Sequence, residues 1–169
     1  MSKKLILHDL SPEDAENLLP KESEIYSLYP AKPPVRHCVG CFGCWLKTPG
    51  RCVINDRGSD FSALMLQHDE IIVISRFVFG GLSPDIKAVF DRSIGFILPF
   101  FRILNGEMHH VKRYQKSPDL CYILYGIDIN DTEKETARKL IAANALNFGS
   151  ENSQISFHTS PREIREVLA

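Results

Sequence analysis

The stretch that decides the fold is EIIVISRFVFGGLSPDIKAVFDR, residues 70–92. It opens with the apolar run Ile71–Ile74, which is typical of a strand covered on both faces of a parallel sheet. Ser83 and Pro84 then predict the start of a helix, because serine caps a first turn and proline fits its first position. The stretch is therefore interpreted as a strand, a glycine-bearing loop and a helix, which together make one βα unit.

Four further segments predict the other strands of the same sheet, and two of them contain the near-continuous apolar runs Leu5–Leu7 and Tyr122–Tyr125. Strands that alternate with helices form parallel sheets with right-handed crossovers. Five such units fit a three-layer, flavodoxin-like α/β sandwich with strand order 2-1-3-4-5, formed as one domain over residues 1–169. A ligand in this fold lies at the carboxyl ends of the strands, near the switch in strand order. The predicted strands are Lys4–Leu7, Glu24–Leu28, Glu70–Ser75, Leu120–Tyr125 and Gln154–His158.

Helix signals separate these strands. Thr132 and Glu135 have the spacing of a capping box, and Gly149 supplies a stop for the helix that follows them. A shorter helix is predicted over Gly58–Gln67, and another is predicted to close the chain after Ser160. Two connections, Pro30–Asp56 and Pro99–Pro118, are predicted to be long loops, and loops of that length are more often functional than idle.

Composition excludes several classes of function. Hydrophobic residues make up 44% and charged residues 24%, as in a globular protein, and the net charge of −1 gives no footprint for nucleic acid or an anionic membrane. The apolar run Leu5–Leu7 is too short for a signal peptide or a membrane span, so a cytoplasmic location is expected. The sequence has neither a nucleophile elbow nor a Gly-x-Gly-x-x-Gly after a strand, which disfavours a hydrolase and a Rossmann dinucleotide site.

Four of the five cysteines lie between residues 38 and 52, with the spacing Cys-x2-Cys-x2-Cys-x7-Cys. Three thiolates spaced in this way can converge on one face of a [4Fe–4S] cluster, and a fourth completes its ligation. Zinc fits the pattern less well, because structural zinc prefers two separated Cys-x-x-Cys pairs. A cysteine loop without a cluster and a redox-active thiol pair remain alternatives. The predicted ligands are Cys38, Cys41, Cys44 and Cys52, whereas Cys121 is interpreted as a core residue.

Three segments together resemble the flavodoxin-like NAD(P)H-dependent FMN reductases and the related iron–sulfur flavoproteins. They are the cysteine segment Cys38–Asp56, the loop Ser75–Pro84, and the helix positions Lys87 and Asp91-Arg92. The resemblance implies FMN as cofactor, NAD(P)H as co-substrate, and a small electron acceptor such as a quinone, a flavin or a nitroaromatic. It also implies a homodimer or homotetramer with the flavin near the subunit interface.

The segment after the first strand departs from that family. The Gly-Ser-Pro-Arg-like loop that holds the FMN phosphate is replaced by a segment in which a helix is predicted to start at Ser11-Pro12. Three carboxylates, Glu13, Asp14 and Glu16, follow in its first turns and would repel a phosphate. Either another group holds the phosphate, such as Arg76 or a partner subunit, or the affinity for flavin is weak.

The candidate flavin contacts lie at the ends of the third and fourth predicted strands. Glycines in the loop after the third strand let the backbone approach a ring closely, and Arg76 would favour an anionic reduced flavin. A surface arginine paired with an acid is the alternative for Arg76, as an ordinary turn is for Tyr125-Gly126. The predicted cofactor-binding residues are Ser11, Ser75, Arg76, Phe77, Val78, Phe79, Gly80, Gly81, Tyr125 and Gly126.

These features lead to three hypotheses of function. The first is an FMN-dependent oxidoreductase that passes electrons from NAD(P)H to a small acceptor. The second is an electron-transfer protein that holds FMN together with a [4Fe–4S] cluster. The third is a non-catalytic binding module that has lost the phosphate loop, which the acidic segment after the first strand favours.

Overall fold

The central sheet is parallel and five-stranded, and its strand order is β2-β1-β3-β6-β7. The computed structural model describes residues 2–165. Two further strands, β4 and β5, form an antiparallel hairpin of their own, so the main sheet has the predicted order 2-1-3-4-5. This confirms the predicted flavodoxin-like α/β fold. The strands are β1 (Lys4–His8), β2 (Tyr26–Pro30), β3 (Glu70–Arg76), β4 (Ile97–Leu104), β5 (Glu107–Lys112), β6 (Asp119–Tyr125) and β7 (Ser153–His158).

Helices and turns cover both faces of the sheet. One face buries Leu5, Val73 and their neighbours against the long helices, whereas the other buries Ile6 and Ile72 against Leu10 and Ile164. Strands buried on both faces carry apolar residues at successive positions, which explains the continuous apolar runs in the sequence. Within residues 2–165, no helix combines the length and the hydrophobicity needed to cross a bilayer. The helices are α1 (Pro12–Leu18), α2 (Gly43–Leu46), α3 (Phe61–Leu66), α4 (Pro84–Arg92) and α5 (Asp131–Phe148), with 3-10 turns at Ile94–Phe96 and Pro161–Glu163.

The predicted loop Pro99–Pro118 is wrong, because β4 and β5 occupy most of it. Asn105 and Gly106 connect the two strands with φ angles of 53° and 83°. An Asn-Gly pair adopts these left-handed angles at little cost and is the strongest local signal for a tight hairpin. That signal was present in the sequence, directly after the largely apolar segment Ile97–Leu104.

Several predicted boundaries also shift. The second strand is Tyr26–Pro30 rather than Glu24–Leu28, because it pairs in register with β1. The capping box of α5 is formed by Asn130 and Glu133, two residues earlier than predicted. The predicted closing helix begins as the 3-10 turn Pro161–Glu163, and the residues after 165 lie outside the described part of the chain.

Candidate functional site

The carboxyl ends of three neighbouring strands meet at the side chain of Asp9. This residue follows β1 directly and is only 3% exposed. Both of its carboxylate oxygens accept a hydrogen bond from the backbone N–H of Arg76 at the end of β3, at 3.0 Å. The hydroxyl of Tyr125 at the end of β6 donates to the same carboxylate at 2.8 Å. Burial, and then the charge of Asp9, raises the pKa of Tyr125, so this hydroxyl stays protonated as a donor.

The first turn of α1 satisfies its own polar groups. The hydroxyl of Ser11 accepts a hydrogen bond from the N–H of Asp14 at 3.1 Å and donates to the Asp14 carboxylate at 2.7 Å. Pro12 has no N–H to offer, and Glu13 adds a second carboxylate in the same turn. Ser11, predicted to bind a cofactor, therefore acts as the N-cap of a seven-residue helix.

This edge of the sheet does not fit the phosphate of an FMN. The group that such a phosphate needs is a set of free N–H donors at the start of the helix after β1. Here the Arg76 N–H is taken by Asp9, the Asp14 N–H is taken by Ser11, and Pro12 lacks a donor. A buried carboxylate stands at the centre of the arrangement, and like charges repel. The geometry thus agrees with the departure from the family pattern that the sequence predicts.

Two of the predicted flavin residues after β3 have their side chains in the interior. Ser75 is fully buried, and its hydroxyl accepts from the N–H of Ser83 at 2.9 Å, which ties the end of β3 to the N-cap of α4. The Phe77 N–H donates to the carbonyl of Tyr125 at 2.7 Å, and its ring packs edge-on against Phe157. These contacts fix the path of the loop, and they leave neither side chain free to stack on a ring.

The rest of this loop is a tight turn that reaches into solvent. Val78 and Gly81 exchange backbone hydrogen bonds of 3.1 and 2.9 Å, and Phe79 and Gly80 between them have φ angles of 47° and 76°. A Cβ on Gly80 would lie 3.0 Å from the side chain of Thr136, so glycine is needed both for the angle and for contact with α5. Phe79, at the tip, is 94% exposed.

The carboxyl edge of the sheet presents apolar surface next to the positive charge of Arg76. Gly126 donates its N–H to the carbonyl of His158, and its Cα faces Phe77, so the loops after β3 and β6 lie side by side. The second loop exposes Ile127 as the first exposes Phe79. Arg76 is exposed, and among the described residues its guanidinium has no carboxylate partner within salt-bridge distance. Such surroundings suit a flat aromatic ring better than a phosphate.

The four clustered cysteines line a cavity of about 420 Å³. Its walls are the cysteine segment, α4, the last turns of α5 and the hairpin, and Trp45 is among the lining residues. None of the ten predicted flavin-contact residues lines this cavity. The structure therefore brings the predicted metal ligands together around one cavity, which Leu82 of the loop Ser75–Pro84 also lines. The lining aromatic and polar side chains include Phe90, His110, Asn144, Asn147 and Phe148.

The thiols share the cavity without forming a preset metal centre. Cys38 and Cys41 are exposed, Cys44 is buried and Cys52 is partly buried. Burial, and then the proximity of Cys52, raises the pKa of the Cys44 thiol. Among the described residues, no three His, Cys, Asp or Glu side chains are placed to hold a metal ion. The donor set has the chemistry of a cluster site, but its thiols would have to draw closer together, so the metal ligands stay a prediction.

A buried arginine, Arg92, forms hydrogen bonds with both ends of the cysteine segment. Arg92 at the end of α4 has a fully buried side chain and uses all five of its donors. Its Nε donates to the Cys52 sulfur at 2.9 Å, and its terminal nitrogens donate to the carbonyls of Arg36 and Ile54 and to the Asp56 carboxylate. The contact partners flank the cysteines on both sides. One guanidinium therefore sets the conformation of the whole segment.

From the sequence alone, Arg92 was assigned no role, apart from the match of Asp91-Arg92 to helix positions of the family. A signal was present, because Arg92 follows Val89 by three residues and Ala88 by four, which places it on the buried face of α4. A charged residue in that position needs a buried partner. The partner is Asp56, whose pKa is lowered to about 2, chiefly by its hydrogen bonds with Arg92.

The short helix α2 attaches the cysteine segment to the hairpin. The indole N–H of Trp45 donates to the carbonyl of Ile97 at 2.9 Å. Its ring lies 5.4 Å from that of His110, which in turn lies 4.7 Å from that of Phe101 on the outer side of the hairpin. This row of rings leads from the cysteines to an exposed apolar surface, whose members include Phe100, Phe101, Ile103 and Met108.

Comparison with known proteins supports the predicted resemblance. No family profile matches the chain. An iron–sulfur flavoprotein of Methanocaldococcus jannaschii is 38% identical over 81 residues, which are 46% of this chain and 40% of that protein. The match thus spans well under half of the relative's length.

A solved structure shows the same fold over nearly the whole chain. It is an FMN-dependent NADH-azoreductase from Bacillus anthracis in complex with FMN, at 17% identity and a TM-score of 0.57. The alignment covers 98% of this chain and 93% of the azoreductase. This likeness shows the flavodoxin-like fold. With the flavoprotein match, it supports the family of flavodoxin-like FMN reductases and iron–sulfur flavoproteins that the sequence resembles.

Proposed function

We propose that this protein is a flavin-dependent oxidoreductase of the FMN reductase type, which passes electrons from NAD(P)H to a small acceptor. The acceptor class is a quinone, a free flavin or a nitroaromatic. The observation that carries the proposal is the reversal of strand order between β1 and β3, with two adjacent ligand-facing loops at that edge. Open parallel sheets bind their ligands in the crevice at such a switch point. The flavin ring is expected against the loops 76–81 and 126–129.

The chain's own residues would bind and orient the ring. A bound flavin supplies the hydride and electron chemistry, so the protein needs only to hold it and admit its partners. Exposed Arg76 offers a positive charge at the edge, and Phe79 and Ile127 offer apolar surface. The fixed path of the loop comes from Ser75 and from the Phe77 N–H. A preset loop lowers the entropy lost when a ligand is ordered.

A titration with FMN tests this proposal. Binding is expected to quench the flavin fluorescence, and the loaded protein is expected to oxidise NADH or NADPH only when an acceptor such as menadione is present. Arg76→Gln should weaken binding, whereas Lys47→Gln, a change at an exposed lysine away from the strand ends, should leave it unaltered. The proposal fails if FMN keeps its full fluorescence at every attainable protein concentration.

A second function, electron transfer through both FMN and a [4Fe–4S] cluster, is favoured by the shared cavity of the four cysteines. The iron–sulfur flavoprotein match points the same way. Protein purified and reconstituted without oxygen distinguishes the two. Structured flavin bands alone support the first function, and an added broad absorption that bleaches on reduction supports the second. The third hypothesis, a binding module without flavin, predicts a colourless protein that ignores FMN; the closed phosphate position at Asp9 is what favours it.

The proposal extends to assembly and location. We propose a homodimer or homotetramer, supported by the row of exposed apolar side chains on the hairpin, since large exposed apolar patches mark interaction surfaces. Free thiols are maintained in reducing compartments, which supports a cytoplasmic location.

A further inference from the structure

Asp9 places a carboxylate where the fold would otherwise accept an anion. It lies between β1 and α1, at the switch point of the sheet, and its oxygens are held by the Arg76 N–H and the Tyr125 hydroxyl. Three donor contacts converge on this one side chain, which is 3% exposed. The Arg76 N–H and the Tyr125 hydroxyl, two donors that an external anion at this edge would compete for, are thus already held by a group of the protein itself.

We infer that Asp9 is a specificity-determining residue that acts as an internal anion, so that the chain selects a flavin by its ring and not by its phosphate. Riboflavin, which is FMN without the phosphate, is then a ligand as good as FMN. The inference rests on the proposed flavin function and names the class of flavin that the site accepts. It concerns only the selection of the flavin, not the electron acceptor.

The charged groups near Asp9 decide whether a phosphate would be attracted or repelled at this position. On the anionic side are Asp9 itself and the carboxylates of Glu13 and Asp14 in the first turn of α1. On the cationic side are the guanidiniums of Arg57, which stacks on Tyr29, and of Arg76, which is exposed. An exposed cation is screened by water and contributes little to binding, whereas the buried carboxylate is screened much less. The balance at the strand ends is therefore unfavourable to a phosphate.

The backbone around Asp9 depends on its hydrogen bonds, not on its charge. Asparagine at this position keeps one oxygen to accept from the Arg76 N–H, and it removes the negative charge. Asp14→Asn is the matched control, because it removes the same charge from a partly buried site five residues away, whose carboxylate accepts from the Ser11 hydroxyl and not from a strand end. If the affinity for FMN depends on the total negative charge around α1, both variants would bind FMN more tightly. If it depends on the buried carboxylate of Asp9, only Asp9→Asn would.

The experiment measures the dissociation constants of FMN and of riboflavin by fluorescence quenching, in the wild-type protein and in both variants. In the wild type, the two constants are expected to agree within about threefold, since the buried Asp9 carboxylate stands where a phosphate would bind. Asp9→Asn is expected to tighten FMN at least about tenfold while riboflavin changes little, because a like charge has been removed from the phosphate position. Asp14→Asn is expected to keep the two flavins near parity.

Each outcome is decisive. Wild-type protein that binds FMN more than about tenfold tighter than riboflavin would overturn the inference and leave the proposed function intact. An FMN gain of equal size in Asp14→Asn would also overturn it. Binding of neither flavin to the wild type would overturn the proposed function, and the inference with it. If Asp9→Asn does not fold, the wild-type comparison still decides, because it needs no substitution.

Discussion

Arg92 and Asp56 form a forked ion pair in which the two terminal nitrogens of the guanidinium donate to the two carboxylate oxygens, at 3.1 and 2.9 Å. They are 36 residues apart in the chain, and the cysteine segment lies between Arg36 and Asp56, both of which contact this guanidinium. The pair therefore joins the end of α4 to the segment that carries four thiols. Its rigidity follows from the planar guanidinium, which fits a carboxylate with two parallel bonds.

Removing Arg92 is expected to destabilise the protein strongly. Arg92→Met leaves the partly buried Asp56 carboxylate and two carbonyls without their donor, which should cost about 3 kcal/mol of unfolding free energy. Urea denaturation measures the loss. Arg51→Met, which breaks the exposed pair with Asp60, is the control and should cost less than about 1 kcal/mol. Equal losses in the two variants would contradict the structural role of Arg92.

The same pair predicts a loss of stability in acid. The pKa of Asp56 is about 2 in the folded protein, against an ordinary 3.8, because Arg92 favours its charged form. A carboxyl with a lowered folded pKa stabilises the fold above its unfolded value, and this contribution, about 2 kcal/mol, disappears as the pH falls from about 4 to about 2. In Asp56→Asn, the difference in unfolding free energy between about pH 6 and about pH 3 should shrink. An unchanged difference would refute the assignment.

Because His8 is buried, we expect the unfolding free energy to depend on pH in a second, separate range. It lies at the end of β1, is 4% exposed, and its Nδ1 has no hydrogen-bond partner in the described structure. Burial lowers its pKa from 6.5 to about 4. Between these values the unfolded chain binds a proton that the folded chain does not, so stability should fall by about 3 kcal/mol as the pH drops from about 6.5 to about 4.

Unfolding curves of His8→Asn at several pH values test this expectation. The variant should show a flatter dependence of the unfolding free energy in this window than the wild type. His37→Asn, at an exposed histidine, serves as the control. A slope that persists in His8→Asn would place the titrating group elsewhere.

The cysteine cavity makes a prediction about iron. If the thiols around the cavity hold a cluster, Cys38→Ser should remove most of the iron and the broad absorption from protein that was reconstituted without oxygen. Cys121→Ser changes a thiol in β6 that does not line the cavity, and it should retain both. Iron determination together with the spectrum gives the readout. Full iron in Cys38→Ser would exclude this residue as a ligand.

The hairpin makes a prediction about assembly. Phe101→Asp should shift the proposed homo-oligomer toward monomer in sedimentation experiments, because a charge would be buried in an apolar contact. Phe79→Asp alters a phenylalanine of at least equal exposure outside the hairpin, and it should leave the assembly state unchanged. A wild-type protein that sediments as a monomer would contradict the proposed oligomer.

Local signals were sufficient where a segment determines its own structure. Apolar runs indicated three of the five parallel strands, and Ser83-Pro84 indicated the start of α4, since a cap and a fixed proline angle act within one turn. The sequence likewise predicted an acidic, phosphate-poor segment after β1. It missed the hairpin, whose Asn105-Gly106 turn was a readable signal, and it misplaced the capping box of α5 by two residues.

The sequence by itself determined the alternation of strands and helices and the clustering of the four cysteines, because these depend on periodicity and spacing along the chain. Only the tertiary structure decided that Asp9 joins the ends of β3 and β6, and that the four cysteines line one cavity together with Leu82. It also decided that Arg92 closes the cysteine segment. These contacts join residues dozens of positions apart, and a pairing of that kind is fixed by packing, not by local preference.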